Sequence, residues 1–189
     1  MIKMAEVVRR IKWLAERKII RHTIHRKTEL AEPAAVIFCR DGRYAQETFR
    51  FHERCQQGGT FLQPHPIFGG ILALAPNSPI YESPGADTVC IAGLKRGWHR
   101  QDQPNILVKA HISCLAVADS GMDAWSSHLF DLYIGGLDRV KRELPDAKVV
   151  PLIDFHLSSP SRCRNTQTWA FEPEYWSRNK YDWVDFLIT

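Results

Sequence analysis

The chain has 189 residues, 44% of them hydrophobic and 24% charged, and a formal net charge of +4. This size and balance predict one soluble globular domain over residues 1–189. No apolar run approaches the ~18 residues that a membrane span needs, and basic residues from Lys3 onward interrupt any secretory signal. Five cysteines, an odd number, argue against a disulfide scaffold and favour reduced thiols in a cytoplasmic compartment.

The first 30 residues predict an amphipathic, N-terminal helical arm. Val7, Ile11 and Leu14 recur at helical spacing, and arginines and lysines fill the other face as far as about Lys27. A basic helix of this kind is either the solvated face of a packed helix or a surface for nucleic acid or an anionic membrane. Because the net charge is small, we expect neither nucleic acid nor a membrane as a partner.

Strands and helices alternate through the middle of the chain. Apolar runs predict strands, helical spacing predicts helices, and a stretch rich in proline and glycine from Pro64 to Gly85 predicts a loop. The predicted strands are Ala34 to Cys39, Thr60 to Gln63, a short one at Ile71 to Ala75, Ile106 to Ala110 and Val149 to Phe155. The predicted helices are Tyr44 to Gln57 and Gly121 to Leu144, while Asp87 to Trp98 fits either a strand or a helix. This order predicts an α/β fold around a short, mainly parallel β-sheet flanked by helices.

The C-terminal tail, residues 158–189, is rich in aromatic side chains, among them Trp169, Trp176 and Trp183. Such a composition is not that of a disordered segment. We expect the tail to pack on the body of the domain or on a partner.

Two short motifs carry side chains that bind zinc. Cys39-Arg40-Asp41-Gly42-Arg43 follows the strand that ends at Cys39, and His111-Ile112-Ser113-Cys114 follows the strand that ends near Ala110. Ligands in open α/β sheets gather at the carboxyl ends of the strands, so we expect the two motifs to meet there. Two thiolates and one imidazole leave a fourth tetrahedral position open, which is typical of a catalytic zinc site.

The two motifs resemble those of the β-class carbonic anhydrases, whose pattern is Cys-x-Asp-x-Arg after one parallel strand and His-x-x-Cys after another. The segments "NILVKAHISC", "TFLQPHPIFGG" and "VVPLIDF" are similar to the same family in their order. The chain differs from the family at Gly42, Ala110 and Leu115, and an insertion is expected between Pro76 and Gly85. The resemblance favours a helix at Asp87 to Trp98. It also implies a homodimer or a larger homo-oligomer, with the N-terminal arm reaching the second subunit.

The resemblance implies a zinc ion held by Cys39, His111 and Cys114. It further implies reversible hydration of CO2 to bicarbonate by a zinc-bound hydroxide, with Asp41 and Arg43 as the catalytic pair. Asp41 would either take the fourth zinc position in an inactive state or pair with Arg43 and orient the hydroxide. A related hydrolase of carbonyl sulfide or carbon disulfide, and a non-catalytic binding or assembly protein stabilised by zinc, are the alternatives.

Other histidines and cysteines have simpler interpretations. The chain contains a second His-x-x-Cys pair, His52 and Cys55, but its place inside a predicted helix favours core packing over metal ligation. Tyr44 fits either a pocket wall or the core. No spacing suggests that His156 binds a metal, and we expect Cys55, Cys90 and Cys163 to be small apolar side chains.

Overall fold

The computed structural model describes residues 4–55, 62–80, 84–101, 105–112, 114–157 and 166–188. These residues form an α/β fold with a mixed, six-stranded sheet flanked by helices on both faces. The strands are β1 (Ile20–His22), β2 (Ala34–Cys39), β3 (Leu62–Ile67), β4 (Asn105–His111), β5 (Lys148–His156) and β6 (Thr166–Phe171). The helices are α1 (Met4–Glu16), α2 (Lys27–Ala31), α3 (Gly42–Cys55), α4 (Ala86–Gln101), α5 (Leu115–Asp119), α6 (Ser127–Glu143) and α7 (Pro173–Ile188).

The sheet has the strand order β1-β6-β5-β4-β2-β3. Strands β5, β4, β2 and β3 are parallel, while β6 pairs antiparallel with both β5 and β1. Every residue of β2 and β4 is buried, as expected of parallel strands that are covered on both faces. Their carboxyl ends, where both sequence motifs begin, therefore lie side by side inside the domain.

Two apolar clusters fill the two sides of the sheet. The smaller cluster lies under α2 and α3 and contains Val36 and Phe38 of β2 with Leu107 of β4. The larger cluster contains the alternate side chains of the same strands, together with apolar residues of α1, α4, α6 and α7. Since side chains alternate along a strand, Lys109 and His111 share the side of Leu107 and face α3.

The N-terminal segment is shorter as a helix than the sequence predicts. Helix α1 ends at Glu16, and the chain then reverses through Lys18, which has a φ of 60°, into β1. The apolar side of α1 is buried within its own chain, because Trp13 packs on Trp183 and Phe186 of α7 at ring-centroid distances of 5.0 and 5.3 Å. An arm that reaches a second subunit remains a prediction.

The C-terminal tail packs on the body of the domain through β6 and α7. Trp176 and Trp183 are fully buried, and the indole nitrogen of Trp183 donates a 2.9 Å hydrogen bond to the carbonyl of Trp125. Residues 158–165, including Cys163, lie outside the described part of the chain.

Three further differences from the predicted elements have local causes. The predicted strand at Ile71 to Ala75 was wrong: a 3₁₀ helix, Gly70–Leu74, covers most of this stretch, and both its N-cap Gly69 and its first residue Gly70 have positive φ. The predicted helix from Gly121 begins only at Ser127, where the hydroxyl of Ser126 accepts the backbone N–H of Leu129. The strand predicted at Thr60 to Gln63 begins at Leu62 and continues to Ile67, so the loop predicted from Pro64 was wrong at its start; Thr60 lies outside the described residues. Within the described residues, no helix combines the length and apolar character needed to cross a bilayer.

Candidate metal centre

The side chains of Cys39, His111 and Cys114 meet in one buried cluster. Their candidate ligand atoms all lie within 4.8 Å of one another, and the two sulfur atoms are 3.5 Å apart. Two thiolates on a tetrahedral zinc, with bonds of ~2.3 Å, would lie ~3.8 Å apart. The two sulfur atoms therefore have nearly the separation that a shared zinc ion requires.

The fold brings these ligands together through two neighbouring strands. Cys39 is the last residue of β2, His111 is the last residue of β4, and Cys114 precedes α5 as its N-cap. Because β2 and β4 are adjacent and parallel, both motifs leave the same edge of the sheet. The three ligands predicted from the sequence thus share one place in the structure.

The buried imidazole of His111 supports a metal ligand at this position. Both of its ring nitrogens are buried, and neither forms a hydrogen bond with any described residue. A buried polar atom without a partner is costly, so such an atom is normally satisfied by water, by a ligand or by a metal. One imidazole beside two thiols is a donor set that zinc prefers, and the residues present therefore fit zinc.

The two thiols have opposite pKa shifts. The pKa of Cys39 is lowered chiefly because Cys114 hydrogen-bonds to its sulfur, while the pKa of Cys114 is raised by the nearby Cys39 and by burial. His111 also lowers the pKa of Cys39. The ring nitrogens of His111 form no hydrogen bond with any described residue, so this effect comes from the closeness of the imidazole to the Cys39 sulfur. The first thiolate is therefore favoured at Cys39, and a bound cation would favour the second as well.

A turn of two glycines supplies a backbone donor to the cluster. The N–H of Gly69 points at the sulfur of Cys39, with a nitrogen–sulfur distance of 3.3 Å. The next residue, Gly70, has a φ of 61°, and a Cβ added there would lie 2.5 Å from the carbonyl oxygen of Lys109 and 3.0 Å from the backbone nitrogen of Cys39. The turn fits against β2 and β4 only because Gly70 has no side chain.

We expect Gly70→Ala to lower the free energy of unfolding by about 3 kcal/mol, because a positive φ costs ~1–2 kcal/mol and the clash with two strands adds to it. Gly85→Ala is the matched control. Gly85 has a φ of 76°, and no atom of the described residues would lie within 4 Å of an added Cβ. The stability lost in Gly85→Ala should therefore stay near the ~1–2 kcal/mol of the backbone strain. Urea unfolding measures both variants, and equal losses would contradict a tight contact at Gly70.

Asp41 lies at the start of α3, directly beyond the cluster. Its carbonyl accepts the backbone N–H groups of Tyr44 and Ala45, at 2.9 and 3.2 Å, and its own backbone N–H helps to lower the pKa of Cys39. Among the described residues its carboxylate is not one of the clustered ligand atoms. The side chain of Arg43 lies outside the described part of the chain, so the Asp41–Arg43 pair remains a prediction.

A row of aromatic rings beside the cluster was not predicted as part of the site. The ring of Tyr44 lies 3.8 Å from that of His111 and 3.9 Å from that of His156, measured between centroids. The sequence holds one signal for this row: His156 ends β5 as His111 ends β4, so the two belong at the same edge of the sheet.

A buried ion pair lies on the same side of the sheet as His111. The ammonium of Lys109 is 2.8 Å from the carboxylate of Asp154, and both side chains are almost fully buried. The other carboxylate oxygen of Asp154 accepts the hydroxyl of Thr168 at 2.6 Å. Asp154 is also the register partner of His111, and its carbonyl accepts the N–H of Ile112. This pair joins β4 to β5 two residues before the candidate ligand His111.

We expect Lys109→Met to lower the free energy of unfolding by ~3–5 kcal/mol, because Asp154 would keep a buried charge without its cation. Lys95→Met, which removes the half-exposed Lys95–Glu143 pair, should cost less than ~1 kcal/mol. Replacing both members of the buried pair, as Lys109→Met with Asp154→Leu, should restore most of the lost stability. Urea unfolding of the wild type and the three variants checks this; a Lys109→Met protein as stable as the wild type would contradict it.

The second His-x-x-Cys pair packs along α3 and does not join the cluster. His52 is fully buried, and Cys55 contacts the smaller apolar cluster. Burial and the neighbouring charge of Lys109 keep the pKa of His52 well below its usual value. Its imidazole is therefore neutral in the folded chain.

Comparison with known proteins found no relative of this chain. No protein-family model, no curated protein and no solved structure matches the chain. The functional interpretation therefore depends on the two motifs and on the place where the fold brings their side chains together.

Proposed function

We propose that the chain is a zinc enzyme that catalyses the reversible hydration of CO2 to bicarbonate, with a fold like that of the β-class carbonic anhydrases. The observation that carries the proposal is the buried cluster of Cys39, His111 and Cys114 at the carboxyl ends of two adjacent parallel strands. Within the described residues the cluster offers three protein ligands. A catalytic zinc site has this number, because the fourth position is kept for water or substrate.

The residues around the cluster have separable roles in this proposal. Zinc, when bound, supplies a Lewis acid that polarises a water molecule and lowers its pKa toward neutrality. Cys39, His111 and Cys114 hold the metal, and the Gly69 N–H offsets part of the charge on the Cys39 sulfur. The Asp41 carboxylate would accept a hydrogen bond from the attacking water and so orient it. Arg43 would keep that carboxylate ionised and aimed at the water.

A structural zinc site in a binding or assembly protein is the second candidate. The observation that favours it is burial: Cys39 and His111 are each 3% exposed and Cys114 is 1% exposed. A structural site, however, is normally closed by four protein ligands. If Cys163, which lies outside the described residues, were the fourth ligand, Cys163→Ala would lose zinc; we expect that variant to keep it.

Metal analysis combined with stopped-flow CO2 hydration tests the proposal. We expect about one zinc per chain, fast hydration, and loss of activity on chelation that added zinc restores. Zinc at that ratio with neither CO2 hydration nor carbonyl sulfide turnover would support the structural site. A parallel assay with carbonyl sulfide detects the related hydrolase, which would turn over that substrate while leaving CO2 hydration slow.

A further inference from the structure

The orientation of His111 needs an explanation that hydrogen bonding does not give. A histidine that binds a metal through one ring nitrogen is normally fixed by a hydrogen bond from the other nitrogen to a carboxylate, a carbonyl or water. Neither ring nitrogen of His111 has such a partner among the described residues. Among the described residues, the contacts that can hold the plane of the imidazole are therefore packing contacts with its ring.

The ring of Tyr44 makes that contact. Its centroid lies 3.8 Å from that of His111, with an angle of 39° between the planes, and Tyr44 is 4% exposed. This is the shortest centroid distance among the described aromatic pairs that involve His111, since the His156 ring is 5.9 Å away. A ring at this separation leaves the imidazole little room to rotate about its Cβ–Cγ bond.

Tyr44 is itself held on its far side. Its backbone N–H donates to the carbonyl of Asp41, and its ring lies 3.9 Å from that of His156. The Nδ1 atom of His156 lies 3.0 Å from the hydroxyl oxygen of Thr166 in β6. Four side chains from β6, β5, α3 and β4 thus form one row that ends on His111.

We propose that Tyr44, supported by His156, is a positioning residue that orients His111 for metal binding by ring stacking instead of by a hydrogen bond. The inference rests on the proposed function only in taking Cys39, His111 and Cys114 as metal ligands. The ring of Tyr44 carries the effect, so a variant that keeps the ring should keep the wild-type zinc affinity. The stack sets metal affinity and ligand geometry whether or not the bound metal hydrates CO2.

Three variants separate this role from simple core packing. Tyr44→Leu removes the ring but keeps an apolar side chain, Tyr44→Phe keeps the ring, and His156→Leu removes the support. Phe49→Leu is the matched control, because Phe49 is an aromatic residue of the same helix whose ring packs on Phe38, at 5.6 Å. Zinc affinity is measured by competition with a chromophoric chelator, and the ligand field is measured from the visible spectrum of the cobalt-substituted protein.

We expect Tyr44→Leu to weaken zinc binding by about tenfold or more, within the ~10–100-fold range for loss of a residue that orients a metal ligand. The cobalt bands should shift in the same variant. The zinc affinities of Tyr44→Phe and Phe49→Leu should stay within about twofold of the wild type. His156→Leu should weaken zinc binding more than these two variants do, but less than Tyr44→Leu does. His156 is only half-buried, so that variant keeps the test available if Tyr44→Leu does not fold.

If the wild-type protein binds zinc or cobalt, two results would overturn the inference. One is wild-type zinc affinity and an unchanged cobalt spectrum in both Tyr44→Leu and His156→Leu. The other is an equal loss in Tyr44→Phe and Tyr44→Leu, which would assign the effect to the hydroxyl. A wild-type protein that binds zinc but does not hydrate CO2 contradicts the proposed function alone, whereas one that binds neither zinc nor cobalt overturns both.

Discussion

Replacing Cys114 by alanine is expected to remove most of the bound zinc. Zinc bound by a few protein ligands has an apparent free energy of ~10–16 kcal/mol, so losing one ligand should cost several kcal/mol, or about 10²–10³-fold in affinity. The same loss is expected for Cys39→Ala and His111→Ala, because all three side chains belong to one cluster. Zinc content after gel filtration, followed by a chelator titration, measures the effect.

The chain supplies its own controls for the ligand variants. Cys55 and Cys90 are half-buried cysteines outside the cluster. Cys55→Ala and Cys90→Ala should therefore keep the wild-type zinc content. Full zinc occupancy in Cys114→Ala, or zinc loss in Cys55→Ala, would show that the metal binds elsewhere.

The central strands and the meeting of the candidate metal ligands were predictable from local sequence. The strands β2, β4 and β5 are continuous apolar runs, which is the pattern of strands buried on both faces. Each ligand motif directly follows or ends one of these runs. Since parallel strands align their carboxyl ends, two local patterns were sufficient to predict that Cys39 and His111 would lie together.

The edge of the sheet was not predictable, because its pairing joins distant parts of the chain. Strand β1 has only three residues, and it exists through pairing with β6, where Ile20 lies opposite Phe171. A three-residue strand has no periodicity to detect. The helix predicted to extend to about Lys27 therefore included residues that form a turn and strand β1. Only the tertiary pairing of β1 with β6 reveals that strand.

The surroundings of the metal ligands depend on register in the same way. The pairing of Lys109 with Asp154 follows from the alignment of β4 with β5, in which His111 lies opposite Asp154. Tyr44 reaches His111 only because α3 begins immediately after Asp41 and lies across β4. A motif identifies the ligands, but the residues that orient them depend on the packing of four separate elements.

We expect Asp41→Asn to retain zinc and to lower the rate of CO2 hydration by about 10²-fold or more. Asparagine has the size of aspartate, but it lacks the negative charge that orients and polarises the attacking water. The Asp41 side chain is outside the ligand cluster, so metal content should not change. Stopped-flow hydration at matched zinc occupancy measures the effect.

The position of Asp41 allows the Asp41→Asn variant to separate the role of its carboxylate from its role in starting helix α3. Its backbone carbonyl starts α3, and the substitution leaves that carbonyl in place; a loss of activity with unchanged unfolding free energy therefore reports on the carboxylate. Asp119→Asn, an exposed position at the end of α5, should leave hydration unchanged. Arg43→Ala should reduce hydration like Asp41→Asn if Arg43 holds the carboxylate in place. Near-normal hydration in Asp41→Asn would instead limit Asp41 to starting a helix, because catalysis would then proceed without its charge.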